Sequence, residues 1–467
     1  MKHIEINGIK WFFRDDHFVD VIKRFLPDAY RKRGHFIVEH QDKKVFIKYF
    51  KERGLYGFVR NRIQPRGKKE FLIGERLIAL CIPTPEPLGY GITDGGSYIV
   101  QGLLDGKTLS DIFEKSDDKN ELLILLAGLL KALKTCHVRH NDLHLNNIIY
   151  KDGVLHLVDL HKTRIKSTFS LDDEVSNIAH AITMVYQGIS EDEKTLFYKA
   201  YGNEDIRFPV EAELKRLRHR WIDKKMRRAF NDTSVMTVEN GCVYIAGCEG
   251  MGKGAQVGVI KEDKKVRVER YSDHIRKIYR NKRRLKRAWK NHVALTYLCL
   301  DMVPRAFFVR MPSVAEKGFV AMEDLSGRGE ELDRFLDRTY GGLNLHEKRV
   351  FIDKLSVFFA NAIAQWVIHK DVKACNIFVL RDKGFVFLDV EDIVFEEINE
   401  VSLKRMLVQL NTTIPKGISI GDRARFFLKL TNALKMKNKD LFRAVIEDSL
   451  KSKIVYEGAG GLKIESW

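Results

Sequence analysis

The feature that most restricts how this chain can fold is a segment that occurs twice. His140-Asn-Asp142-Leu-His-Leu-Asn-Asn147-Ile-Ile is followed by a strand-like Leu-His-Leu-Val and Asp159, and His369-Lys-Asp371-Val-Lys-Ala-Cys-Asn376-Ile-Phe by Phe-Val-Phe-Leu and Asp389. Each copy has His, Asp two residues on, Asn five further, then an apolar strand ending in Asp, and each follows a long apolar helix-like run. Upstream, Asp42-Lys-Lys-Val-Phe-Ile-Lys48-Tyr-Phe lies over Asp263-Lys-Lys-Val-Arg-Val-Glu269-Arg-Tyr without a gap. A period of about 220 residues excludes solenoids, whose units run roughly 20 to 50 residues, and implies duplication of a complete fold. The chain's 467 residues, 45% hydrophobic, exceed what one core usually organises. The boundary is expected near residue 230, where the basic, helix-like Leu214 to Phe230 gives way to Asn231-Asp-Thr-Ser, so the two units are 1–230 and 231–467.

Within the first unit Phe36 to Phe50 reads as a hairpin, Lys69 to Leu80 as a helix, and Tyr98 to Leu103 as a strand before a hinge. Pro83-Thr-Pro85-Glu-Pro87 ends the helix, because proline lacks the amide donor and restricts its predecessor. A small mixed lobe followed by a helical lobe makes each unit α+β.

Phosphoryl transfer from ATP needs positioned phosphates, a divalent metal to neutralise their charge, and a carboxylate to orient the attacking hydroxyl. The first unit carries a candidate for each part. Asp142 is the catalytic carboxylate, and Asn147 and Asp159 are the metal ligands, whose oxygens suit Mg²⁺. Lys48, on a strand, is the candidate for the α and β phosphates of ATP, with Glu70 of the next helix as its ion-pair partner and Glu75 as the alternative. Gln101 and Leu103, at the end of the strand before the hinge, complete the ATP-binding set. His140 reads as a support for the loop, not a proton carrier. Any one of these residues alone would be a cap, a turn former or a solvated side chain; their joint spacing argues otherwise.

HxDLHxxN followed by VDL resembles the protein-kinase superfamily, and within it the bacterial lipopolysaccharide core sugar kinases that act on Kdo or heptose. His144, where eukaryotic-type protein kinases have lysine, and Glu70 ahead of Ile82-Pro-Thr-Pro-Glu-Pro fit that branch. The resemblance implies two tandem protein-kinase-like bilobal domains, ATP and Mg²⁺ as cofactors, and a sugar or glycolipid acceptor phosphorylated on a hydroxyl. HxDLHxxN also resembles aminoglycoside and choline kinases, which leaves a protein or small-molecule acceptor as an alternative, and a non-catalytic scaffold as a third. No GxGxxG precedes Lys48; only Gly34 sits between the first strand-like segments, so phosphate cradling must use other contacts.

The second unit keeps Asp371, Asn376 and Asp389, but the ungapped match sets Glu269 against Lys48, and counting back from Pro304 sets Asn291 against Glu70. Those substitutions imply a degenerate kinase, a pseudokinase, unless a cation such as Arg270 has moved in. Gly247-Cys-Glu-Gly-Met-Gly252-Lys253-Gly254 has the GxxxxGK spacing of a P-loop but lacks the following Ser or Thr and precedes a strand, so it reads as the glycine-rich hairpin of a small lobe.

A formal net charge of +18, from 81 basic and 63 acidic residues, favours anionic partners. Arg276 to Lys290 holds nine cations and no acid, with Lys215 to Arg228 as a second basic stretch, and polybasic segments bind anionic membrane surfaces at about 1 kcal/mol per cation. Nucleic acid is the less favoured partner. Six cysteines without CxxC pairs read as reduced thiols, not a zinc site. Met1 to Asp16 shows no secretory signal, and the most apolar helix, Leu122 to Leu133, is shorter than the roughly 20 residues that span a bilayer. The expected location is cytoplasmic, at the inner membrane surface.

Overall fold

The computed structural model describes the chain except residues 1, 15–18, 21, 24–33, 41–42, 53, 117, 187, 315, 383, 437–438 and 459. Asp42, which opens the upstream repeat, is outside the described residues. The chain divides into two compact units, Met1–Arg218 and His219–Trp467, the division falling inside the helix Arg207–Arg227.

In the first unit β1 (Lys2–Ile6), β2 (Ile9–Phe13), β3 (His35–His40), β4 (Lys43–Lys51), β5 (Pro87–Thr93) and β6 (Gly96–Gly102) form one antiparallel sheet in the order β1-β2-β5-β6-β4-β3. The register sets Lys48 opposite Ile99 of β6 and His35 of β3. Between β4 and β5 run α1 (Gly54–Ile63) and α2 (Arg66–Ala79). The apolar and small residues of α2 recur at helical spacing, burying Gly67, Phe71, Ile73, Gly74 and Leu77 together with Glu70 against the sheet. Close approach depends on Gly67, because a Cβ there would fall on the Tyr98 carbonyl of β6. Gly67→Ala is therefore expected to destabilise the unit by about 1–3 kcal/mol, read as a lowered urea midpoint with unchanged slope. The helix ends with Cys81 in the left-handed region (φ 56°), followed by Pro83.

Past the hinge the unit is mainly helical: α3 (Leu109–Lys115), α4 (Asn120–Thr135), α5 (Leu171–Ile182), α6 (Glu191–Tyr201) and α7 (Arg207–Arg227). Leu123, Leu126, Leu130 and Leu133 of α4 lie at the centre of its core. Short strands Val138–His140, Ile148–Lys151, Val154–Leu157 and Thr163–Ile165 carry the repeated motif across the face of these helices.

The second unit has a seven-stranded sheet in the order β12-β13-β17-β18-β16-β15-β14, numbered after Lys107–Thr108 (β7) and the four short strands above (β8 to β11): β12 (Met236–Glu239), β13 (Cys242–Ile245), β14 (Gln256–Glu262), β15 (Val266–Tyr271), β16 (Ile275–Tyr279), β17 (Ala306–Arg310) and β18 (Phe319–Met322). Helix α8 (Lys282–Tyr297) connects β16 to β17, as α2 connects β4 to β5. Among the described residues ten non-glycine residues have positive φ, and eight fall into four pairs in the same order along the two units: Asn7 and Asn240, Cys81 and Cys299, His137 and Trp366, Asp159 and Asp389. Conformations this uncommon seldom recur in register without a shared backbone path.

Two expectations about this unit are corrected. By sheet position the counterpart of β4 is β16, which lies beside β18 as β4 lies beside β6, so the residue at the place of Lys48 is Lys277, not Glu269. The ungapped match slid by one strand because it aligned the turn before β15 with the turn before β4. Likewise, counting back eleven residues from the left-handed Cys299 and Cys81 sets Ala288 against Glu70. Asn291 is a helix-to-loop brace whose Nδ2 donates to the carbonyls of Val390 and Ile393, both at 2.8 Å. The glycine run 247–254 is not a hairpin turn either. It lies between β13 and β14, and the amides of Gly252 and Gly254 donate to the Asp273 carboxylate at 3.2 Å each.

Candidate functional site

Lys48 of β4 forms an ion pair with Asp159, which follows the strand Val154–Leu157 and sits in the left-handed region (φ 61°, ψ 48°). That conformation, unusual for an aspartate, turns the chain so that the carboxylate and His161 face the sheet. His161 Nδ1 lies 2.8 Å from Asp159 Oδ1 and 3.7 Å from Glu70 Oε2. The expected Lys48–Glu70 pair is not formed: the lysine goes to Asp159, and His161 stands between that carboxylate and Glu70. Glu70 is 2% exposed, whereas Glu75 pairs with Arg14 at 3.0 Å on the surface, so burial selects Glu70 as the site carboxylate.

The loop residues His140, Asp142 and Asn147 are locked by a short network. His140 Nδ1 accepts from the Asp142 amide at 3.2 Å, and its Nε2 is 3.4 Å from the Val158 carbonyl. Burial depresses the His140 pKa to about 4, so the ring is neutral and acts as a brace, not a proton carrier. Asn147 Nδ2 donates to the Asp142 carbonyl at 2.9 Å, which leaves Oδ1 as the atom Asn147 has to offer a cation. The Asp142 carboxylate pairs with Lys162, and burial, which works to raise its pKa, is outweighed by that hydrogen bond and charge, so the group sits below the ordinary aspartate value. Burial likewise works to raise Asp159, but the hydrogen bond from His161 and the charge of Lys48 hold it well below the ordinary range.

The loop is anchored from α5. Asn177 accepts from the His140 amide at 3.0 Å and donates to the Val138 carbonyl at 2.8 Å, while Asp173 takes Arg139 at 2.6 Å and Lys166 at 2.5 Å.

Lys48, Asp159 and His161 line a polar cavity of about 650 Å³ together with Arg60, Arg66 and Glu52. Arg60 and Arg66, both paired with Glu52, line the cavity with Lys48, and sequence reasoning missed both. It also missed His161 and Lys162, although each lies within three residues of Asp159. Gln101 and Leu103 do not line this cavity: Gln101 is a half-buried β6 residue opposite Phe46, and the Leu103 amide is already donated to the Lys44 carbonyl at 2.9 Å.

Glu70, Asp159 and His161 bring one ligand atom each within 4.8 Å of one another, and Glu70 Oε2 is a buried oxygen without a hydrogen-bond partner. Such an orphaned anionic atom fits a site that receives a cation. His161 titrates in a way that tests this arrangement. Burial works to lower its pKa, but the hydrogen bond to Asp159 and the neighbouring Glu70 raise it above 6.5. A raised folded-state value stabilises the protein fully below the unfolded pKa and is lost as pH rises through the folded one. Urea midpoints of the metal-free protein are therefore expected to fall from about pH 6.5 upward. His161→Gln should flatten that decline, and an unchanged slope in the variant would assign it elsewhere.

In the second unit, Asp371, Asn376 and Asp389 occupy the corresponding loop. Arg270 is not a relocated site cation, since it pairs with Asp324 at 3.1 Å. The basic stretch 276–290 comprises the end of β16 and the start of α8, and five of its nine cations are engaged within the unit: Arg276 with Tyr271, Lys277 with Asp389, Arg280 with Glu262, and Arg284 and Arg287 with Asp392. The other four, Lys282, Arg283, Lys286 and Lys290, recur at helical spacing along α8. Among the described residues no helix is long and apolar enough to cross a membrane.

No family model and no curated protein matches the sequence. Three solved structures resemble part of it. A WaaP structure in complex with acyl carrier protein is 15% identical with a TM-score of 0.34, over 46% of this chain and 98% of that one. The bifunctional kinase-methyltransferase WbdD is 15% identical with a TM-score of 0.29, over 46% and 48%. A divergent kinase lacking the glycine-rich loop, from Toxoplasma, is 15% identical with a TM-score of 0.26, over 43% and 85%. At this identity and these TM-scores the similarity says nothing about substrate.

Proposed function

We propose that the chain is a tandem pair of kinase-like domains whose first unit transfers the γ-phosphoryl group of ATP to a sugar hydroxyl of a lipopolysaccharide core or related glycolipid. One observation carries the reading: Lys48 on the sheet meets Asp159 at the wall of the polar cavity, and Asn147 holds the Asp142 carbonyl in the loop that precedes it, which supports phosphate-binding, metal-binding and hydroxyl-orienting roles for these groups. Asn147 and Asp159 would hold Mg²⁺, which when bound neutralises charge on the transferring phosphates. Lys48, Arg60 and Arg66 bind the polyphosphate. Asp142, ionised and steered by Lys162, orients the acceptor hydroxyl and takes its proton. The sugar acceptor rests on the resemblance carried by HxDLHxxN, His144 and the Ile82-Pro-Thr-Pro segment.

The test is Mg²⁺-dependent transfer of labelled γ-phosphate to dephosphorylated lipopolysaccharide cores, proteins and small sugars or aminoglycosides. Label in the glycolipid, lost in Lys48→Met, supports the proposal. Label confined to a protein or a small molecule replaces the acceptor, and nucleotide binding without label in any acceptor rejects the transfer reading.

A further inference from the structure

The burial of Glu70 is not compensated by its protein contacts. The residue is 2% exposed, its Oε2 has no hydrogen-bond partner, and His161 Nδ1 stands 3.7 Å from that oxygen, beyond hydrogen-bond reach. A buried anionic oxygen in that state is unfavourable until something positive completes it.

The second unit shows what protein groups alone do at this place. There Ala288 stands where Glu70 does, and the carboxylate comes from Glu391, two residues past Asp389, where the first unit has His161 two past Asp159. Glu391 is 1% exposed, and its oxygens accept from Lys277 Nζ and Tyr279 Oη at 3.0 Å each and from Arg284 Nε at 2.9 Å. One buried acid is closed by three donors; the other is left open toward a histidine and a second carboxylate.

That opening has the dimensions of a metal site. One atom each of Glu70, Asp159 and His161 lies within 4.8 Å of the other two, with Nδ1 2.8 Å from Asp159 Oδ1 and 3.7 Å from Glu70 Oε2. Ligand atoms about 2.1 Å from a tetrahedral zinc ion are roughly 3.4 Å apart, a spacing that falls between those two distances. The His161 ring is braced by buried Phe50, with centroids 5.1 Å apart, and Asp159 by its left-handed backbone. Asp159 and His161 also line the polar cavity, which leaves a coordination position on that side for water.

We propose that Glu70, Asp159 and His161 form a site for a transition-metal dication of the zinc kind. The imidazole nitrogen separates this donor set from the oxygens of Asn147 and Asp159 assigned to Mg²⁺, because imidazole suits zinc whereas Mg²⁺ takes oxygen ligands and keeps its waters. The ion replaces the proton between Nδ1 and Asp159, which leaves to solvent. Asp159 is then withdrawn from Lys48 and from Mg²⁺, so zinc inhibits transfer. That consequence rests on the function proposed above; the site itself does not.

Co²⁺, a spectroscopic stand-in for zinc, titrated into the chelator-treated full chain without nucleotide tests the site. One equivalent is expected, displaced by Zn²⁺, with visible d–d absorption and no thiolate charge-transfer band, the second readout being needed because the chain has six free cysteines. Affinity should fall at least about tenfold in His161→Gln and in Glu70→Gln and hold in Asn147→Ala, with thermal unfolding run alongside so that whichever of the two glutamine variants stays folded carries the test. No binding, binding through thiolates, or binding unchanged in the folded glutamine variants overturns the proposal, and loss in Asn147→Ala alone overturns it by moving the ion to the Mg²⁺ ligands. Transfer that is unaffected by Zn²⁺ at a concentration that fills the site overturns the inhibition. A chain that binds cobalt as expected but transfers no phosphate keeps the metal site and loses the proposed function.

Discussion

Asp142→Asn is expected to lower phosphoryl transfer by roughly 10²–10⁴-fold, the contribution of a positioned general base, while nucleotide affinity changes little. The substitution keeps the size and the contacts of the side chain but removes the charge that Lys162 pairs with, so the hydroxyl loses its proton acceptor and its orientation. The neighbouring backbone network, from His140 Nδ1 to the Asp142 amide and from Asn147 to the Asp142 carbonyl, does not involve the carboxylate. The loop should therefore stay folded, and the loss should fall on kcat. Glu75→Gln, which disturbs only the surface pair with Arg14, is the matched control and should leave transfer unchanged. Initial rates with the labelled acceptor decide it: a variant within about tenfold of wild type would remove Asp142 from the proton transfer.

The largest stability effect is expected at Asp173. Its carboxylate, 1% exposed, accepts from Arg139 at 2.6 Å, Lys166 at 2.5 Å, and the amide and hydroxyl of Ser170 at 3.1 and 3.0 Å. Ser170 caps α5 through a reciprocal box with Asp173, so one side chain closes a helix terminus and pins the strand that delivers His140. Asp173→Ala removes the acceptor and leaves partly buried cations facing one another. A destabilisation of about 3–5 kcal/mol follows, or on the order of 10 °C in the melting temperature of a unit this size. Differential scanning calorimetry checks it; a shift of only a degree or two would mean that Arg139 and Lys166 find water as readily as they found the carboxylate.

The motif that carries His140, Asp142, Asn147 and Asp159 was legible in the sequence because its parts are close along the chain. The His140 ring, the Asp142 backbone and Asn147 are joined by bonds that span at most eighteen residues, whereas Asp159 also takes Lys48 from 111 residues away. Lys48 was legible because an alternating strand places it on a known face. The choice between Glu70 and Glu75 was not, since both lie on one helix and only packing against β6 buries the first and leaves the second with Arg14. His161 and Lys162 had a signal, their nearness to Asp159, but nothing in the pattern states which way a left-handed aspartate turns the chain after it.

The second unit shows the division most plainly. The sequence by itself determined that one motif occurs twice, with Asp371, Asn376 and Asp389 in order, because those relations are local and set by covalent distance. Only the tertiary structure decided that Lys277, not Glu269, meets Asp389, and that Glu391 takes up the role of Glu70 from the other side. Both depend on which strand pairs with β18. Adjacent hairpin strands read alike one at a time, and their order in a sheet is settled by long-range backbone pairing and burial that no short segment contains.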